Sequence, residues 1–88
     1  MEAKTFHFEL LTPQRQVLAC EAASVVLPAA DGLLGVLHNR AAFAAALGDG
    51  KLTIAEPKGT HRYRVSVGAA HMSQNTLIIL AENCTPLS

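Results

Sequence analysis

Lys51-Leu52-Thr53-Ile54-Ala55-Glu56, a break at Pro57-Lys58-Gly59-Thr60, and then His61-Arg62-Tyr63-Arg64-Val65-Ser66-Val67 carry the clearest structural signal in the chain. The first run alternates strictly between polar and apolar residues. Successive side chains of a strand point to opposite faces, so alternation of this kind marks a strand with one buried face. The second run alternates as well, with Tyr63, Val65 and Val67 on one face and Arg62, Arg64 and Ser66 on the other. Turn residues bound both runs: Gly48-Asp49-Gly50 before the first, Pro57 to Thr60 between them, and Gly68 as the expected end of the second.

Toward the C-terminus, residues 69–72 read as another short strand and Ser73-Gln74-Asn75 as a turn. Thr76-Leu77-Ile78-Ile79-Leu80-Ala81 is the most apolar run and suits a central buried strand. Toward the N-terminus, Phe6-His7-Phe8-Glu9-Leu10 alternates within a strand over 5–11 that Thr12-Pro13 interrupts. Residues 16–20 and Ser24-Val25-Val26-Leu27 are short and partly β-branched, and Pro28 is expected to stop the latter. Ala30-Asp31-Gly32 turns the chain into Leu33-Leu34-Gly35-Val36-Leu37. That run is apolar on both faces, so either it is buried on both sides or its outer face meets a partner protein. Residues 41–47 are the one place where local preference points to helix, because Ala is the best helix former. Two turns of isolated helix are marginal in water, and a strand there needs tertiary context to override propensity.

Short strands at turn-bounded spacing with no sustained helical period predict an all-β fold in one domain over residues 1–88, a β-sandwich or a barrel built largely of antiparallel hairpins, of which a small two-sheet β-sandwich of eight to ten strands is the expectation. The predicted core is Phe6, Phe8, Leu10, Val25, Leu27, Ile54, Tyr63, Val65, Leu77 and Ile79. Half of the 88 residues are hydrophobic and 16% are charged, which supplies a core and excludes the disordered class. A domain this small buries only about 60–65% of its unfolded surface, so modest stability is expected.

Lys and Arg number seven, as do Asp and Glu, and aromatic residues make up 5%. With neither a basic tract nor an array of stacking aromatics, nucleic acid is not an expected partner. The opening Met1-Glu2-Ala3-Lys4-Thr5 lacks the apolar segment of a signal peptide, and no apolar run approaches the roughly 18 residues that cross a bilayer. The chain is therefore expected to be cytosolic, without direct membrane insertion.

No catalytic, cofactor-binding or metal-binding residue is assigned. His7, His38, His61 and His71 lack metal-ligand spacing, and Ser66 or Cys20 with a histidine lacks the local signature of a nucleophile. Gly48-Asp49-Gly50-Lys51 resembles a phosphate loop only superficially, because its flanks read as strands. Cys20 and Cys84 have no C-x-x-C partner and read as reduced, mostly buried thiols. Their pairing stays open, since sequence gives no Cα separation. A lipoyl or biotinyl carrier is the alternative reading, with Lys51 as the modifiable lysine, although Lys51 begins a strand and lacks the tip motif of such domains.

From Phe6 onward the order of features resembles the N-terminal β-sandwich domain of the F-type ATP synthase epsilon family, which corresponds to the mitochondrial delta subunit. The segments that carry the resemblance are Phe6-His7-Phe8-Glu9-Leu10-Leu11-Thr12-Pro13, Asp31-Gly32-Leu33-Leu34-Gly35-Val36-Leu37, Tyr63 through Ala70, and Asn75-Thr76-Leu77-Ile78-Ile79-Leu80-Ala81-Glu82. His38-Asn39-Arg40-Ala41-Ala42 departs from the family's Pro-Gly-His-Ala-Pro turn, though Asn39 is able to take the positive φ that Gly takes there.

The resemblance implies a non-catalytic central-stalk subunit that binds gamma and the polar loops of the c-ring. It would couple proton- or sodium-driven rotation to ATP synthesis, as a peripheral part of the complex at the cytoplasmic face of the inner membrane. By correspondence Pro28, Asp31, Gly32, Leu33, Leu34 and Gly35 would face the c-ring. Thr12, Arg40, Ala41, Ala42, Phe43 and Ala45 would face gamma. The apolar surplus at Leu33, Leu34, Val36, Leu37 and Phe43 either serves such a contact or fills the core. The family commonly continues into a C-terminal helical hairpin that carries the inhibitory, ATP-sensing part. With the sequence ending at Cys84-Thr85-Pro86-Leu87-Ser88, the expectation is a subunit that couples rotation without that brake and without its ATP site.

Overall fold

The alternating runs become strands, and in a computed structural model, which describes residues 4–87, they account for all of the regular structure. The strands are β1 (Phe6–Leu11), β2 (Gln16–Ala22), β3 (Ser24–Ala29), β4 (Gly32–Val36), β5 (Phe43–Ala46), β6 (Gly50–Glu56), β7 (Gly59–Ser73) and β8 (Thr76–Leu87). Met1-Glu2-Ala3, on which the reading of the N-terminus rested, lies outside the described residues.

The hydrogen-bonded order β2-β1-β8-β7-β6-β3-β4, with β5 also on β7, is one continuous path that folds into two layers. The long β7–β8 hairpin belongs to both. Residues 69–73 of β7 pair with 76–80 of β8, which pair in turn with β1, and β5 lies along 69–72. Residues 59–65 of β7 pair with β6 on one side, and 62–65 pair with 84–87 of β8 on the other. One layer is therefore β2-β1-β8-β7-β5 and the other β4-β3-β6-β7-β8. The pairs are antiparallel except β1–β8, which is parallel.

Between the layers one cluster holds Phe6, Phe8, Leu10, Met72, Leu77 and Ile79 from the first sheet and Val25, Leu27, Val36, Leu52, Ile54 and Val65 from the second. Each is at most 1% exposed. Tyr63, expected in the core, is half-buried and packs against the cluster from its edge. Burial of apolar surface at about 25 cal/mol per Å² is the main force closing the sandwich.

Three local readings are corrected. Residues 41–47 hold the strand β5 rather than a helix, because its four residues pair with β7, and two turns of exposed helix have no tertiary pairing to replace that. Pro28 does not end β3, which runs on to Ala29. The β3–β6 ladder covers only residues 24–26 of β3, so no N–H is needed from position 28, and the Pro28 carbonyl accepts the Gly48 N–H at 2.7 Å. Gly68 does not end β7 either. Val67 has φ +57 and is 55% exposed, so it leaves the face it was expected to share with Tyr63 and Val65. Past this bend the inward positions change from Val65 to Ala70 and Met72, and the hairpin passes from one sheet to the other.

Candidate functional site

The segment expected to face partners begins in a two-residue turn. Ala29 pairs with Gly32, and Gly32 has φ +135, a conformation open to glycine and costly for other residues. That register sets the phase of β4: Val36 turns inward at 1% exposure, while Leu33 projects at 76% and Leu37, past the strand, at 60%. Leu34 is half-buried against the core, and Pro28, opposite Leu33, is buried. The apolar surplus thus divides, with Val36 belonging to the core and Leu33 and Leu37 to the surface.

The following loop is held by polar contacts. Asn39 takes φ +59, as a positive-φ turn residue should, and its N–H donates to Asn75 Oδ1 at 2.7 Å. Asn75 Nδ2 donates to the Thr5 carbonyl at 3.0 Å, and the Asn75 carbonyl accepts the His7 N–H at 3.0 Å. Gln74 and Asn75 both have positive φ, which matches the right-handed twist of the β7–β8 hairpin they join. Arg40 Nη1 donates to the Gly35 carbonyl at 2.8 Å, and its guanidinium lies 5.3 Å over the Phe43 ring. An exposed cation–π contact contributes about 0.5–1 kcal/mol, enough to orient the arginine between β4 and β5. Neither the Arg40 bridge nor the Asn75 hub was read from sequence. An Asn in a two-residue turn was the available signal for the second.

Arg40 brings the two predicted contact sets together. Asp31, Gly32, Leu33 and Leu34 from the one, and Arg40, Phe43 and Ala45 from the other, line a single groove of about 400 Å³. Ala41 and Ala42 are exposed at its flank. Thr12 is not among the lining residues, its N–H donating to the Arg15 carbonyl at 2.9 Å in the β1–β2 turn. Lys51, the candidate carrier lysine, lies within β6 opposite Arg64 rather than at a hairpin tip.

Titratable groups elsewhere have structural settings. His7 Nε2 lies 2.9 Å from Glu9 Oε2 and Nδ1 lies 3.1 Å from Glu21 Oε2. A carboxylate only accepts, so the protonated ring satisfies both, and the bonds to Glu9 and then Glu21 raise the His7 pKa above its ordinary 6.5. A raised folded value stabilises fully below about 6.5, and the contribution is lost as pH rises through the folded value. With the imidazole 40% exposed, solvent screening keeps it small. Urea midpoints across neutral pH should fall less steeply for His7→Gln than for the native chain, and identical profiles would refute the staple.

Cys20 and Cys84 are free and half-buried. Burial, with Glu56 and Glu21 adding to it, pushes Cys20 up to about 11, and burial also raises Cys84. Thiols so protected are poor nucleophiles, and iodoacetamide should label them far more slowly in the folded than in the urea-unfolded chain. Equal rates would refute that. His61 Nε2 is hydrogen-bonded to Glu56 Oε2 nearby. Among the described residues no three His, Cys, Asp or Glu side chains gather where they could hold a metal ion.

Residues 5–86 match the family described as ATP synthase, delta/epsilon chain, β-sandwich domain. The ATP synthase epsilon chain of Caulobacter vibrioides is 36% identical over 77 residues, which cover 88% of this chain and 90% of that protein. That of Maridesulfovibrio salexigens is 40% identical over 74 residues, 84% of this chain and 52% of that protein, so this chain spans about half its length. Among solved structures, a chain of Euglena gracilis mitochondrial ATP synthase, determined as its OSCP/F1/c-ring part, superposes with a TM-score of 0.86 at 21% identity. It covers 98% of this chain and 55% of that one, a likeness of fold. None of these similarities is to a carrier domain, and the carrier alternative has no support.

Proposed function

The chain belongs to the ATP synthase delta/epsilon β-sandwich family, and we propose that it is a non-catalytic central-stalk subunit of an F-type ATP synthase. In this role it binds gamma and the c-ring and transmits proton- or sodium-driven rotation to ATP synthesis. The observation that carries the reading is the family match over 5–86, nearly the whole chain, joined to a relative matched over 90% of its own length.

The geometry supports a division of contacts around one groove. Leu33, 76% exposed beside Asp31 and Gly32, is suited to seat on the polar loops of the ring. Arg40, Ala41, Ala42, Phe43 and Ala45 are suited to gamma, and Arg40 ties the two surfaces through Gly35. A subunit placed this way is peripheral, at the cytoplasmic face of the inner membrane, and no helix among the described residues is long and apolar enough to cross a membrane.

Affinity capture of the tagged chain from its native cells, with mass spectrometry of what accompanies it, tests the reading. Gamma and c subunits should be recovered together with the catalytic head, and recovery of the chain without any rotary ATPase subunit overturns it.

A further inference from the structure

The outward face of the second sheet carries charge that neither the core nor the groove beside Arg40 uses. Lys51 on β6 stands opposite Arg64 on β7, and Thr53 stands opposite Arg62. Three of the chain's seven Lys and Arg therefore occupy adjoining positions on two neighbouring strands, all exposed. Like charges crowded on one sheet face repel, so the fold gains nothing from them. Asp49 reaches the row, with Oδ1 3.2 Å from Arg64 Nη2. Lys51 and Arg62 form no ion pair among the described residues.

An apolar groove of about 400 Å³ opens on the same face, lined by Val26, Pro28, Leu33, Asp49, Lys51 and Thr53 among others. Gly35 lies opposite Val26, and a Cβ built there meets nothing within 4 Å among the described residues. On the first sheet the arrangement is reversed: Glu9 and Glu21 gather around His7.

We propose that this face docks an acidic polypeptide, a partner segment whose carboxylates pair with Lys51, Arg62 and Arg64 while an apolar side chain enters the groove beside Val26 and Leu33. Charge complementarity selects the class of partner, and the groove selects a polymer with discrete side chains. An anionic bilayer fits less well: lipid-binding clusters carry about four to eight cations, whereas this row has three with a carboxylate among them. The proposal rests on the charge pattern and the groove, not on the rotor reading.

The test is NMR titration of the isotope-labelled full chain with three probes: a short alternating Glu-Leu peptide, its Lys-Leu counterpart, and phosphatidylglycerol–phosphatidylcholine vesicles. The Glu-Leu peptide should shift the amides of Val26, Leu33, Lys51, Arg62 and Arg64. Lys51→Glu combined with Arg62→Glu should weaken binding about tenfold, and so should raising salt from about 0.01 M to about 0.15 M, which shortens the Debye length from about 30 Å to about 8 Å. Both residues are exposed, so the double variant should keep its fold, which its own amide spectrum reports. Shifts elsewhere or none at all, indifference to charge reversal, equal binding of the Lys-Leu peptide, or binding to vesicles alone would each overturn the proposal.

Discussion

Gly68→Ala is expected to unfold the chain or to cost more than about 3 kcal/mol, out of a total of roughly 4–13 kcal/mol for a domain of this length. A Cβ at position 68 would lie 1.9 Å from the Leu80 carbonyl oxygen, 2.9 Å from the Leu80 carbonyl carbon and 2.9 Å from Ala81 Cα. All three are backbone atoms of the paired strand, so no flexible side chain can yield. The Gly68 carbonyl also accepts the Leu47 N–H at 2.9 Å, which joins the bend to the segment leading out of β5. Relief of the contact must therefore open the β7–β8 ladder where the hairpin passes between sheets. The neighbouring position gives a control. Val67 holds φ +57, which costs a β-branched residue about 1–2 kcal/mol, and it is 55% exposed, so Val67→Asn should be neutral or stabilising. Urea denaturation reads both, and an unchanged midpoint for Gly68→Ala would show that the strands do not approach so closely.

This bend marks the boundary of what sequence makes legible. Alternation at Phe6, Phe8 and Leu10, and at Leu77 and Ile79, identifies inward faces because each segment keeps one phase along its length. The long hairpin changes phase at Val67, and no local pattern announces a residue that turns outward in mid-strand. Pro28 and Gly68 look like terminators because both commonly end strands. Whether they do so here depends on a ladder that stops at Val26 and on the approach of Leu80, both settled by distant chain. Residues 41–47 obey the same rule: alanine's preference for helix is a few tenths of a kcal/mol per residue, and pairing with β7 outweighs it. At the site, the turn Ala30-Asp31-Gly32 was readable from its composition. The meeting of its neighbours with Arg40 and Phe43 was not, because it depends on where two sheets bring their edges.

Val36→Asp and Leu33→Asp should separate core from contact surface in a way the apolar run 33–37 cannot. Val36 is 1% exposed and pairs with Val25, itself fully buried, so a carboxylate there is desolvated with no partner. An unpaired buried charge costs several kcal/mol, comparable to the whole stability of so small a domain, and the isolated chain should lose its cooperative unfolding transition. Leu33 is 76% exposed, so the same substitution meets water and should leave the unfolding free energy from urea denaturation within about 0.5 kcal/mol of the native one. If Leu33 seats against the ring loops, Leu33→Asp should instead reduce recovery of c subunits with the captured chain, because binding would desolvate the new carboxylate at a packed contact. Retention of gamma together with loss of c would assign Leu33 to the ring side of the groove. Loss of gamma with c retained would reverse that assignment. Native recovery of both would remove Leu33 from the interface altogether, leaving its exposure to serve the cationic face that it borders.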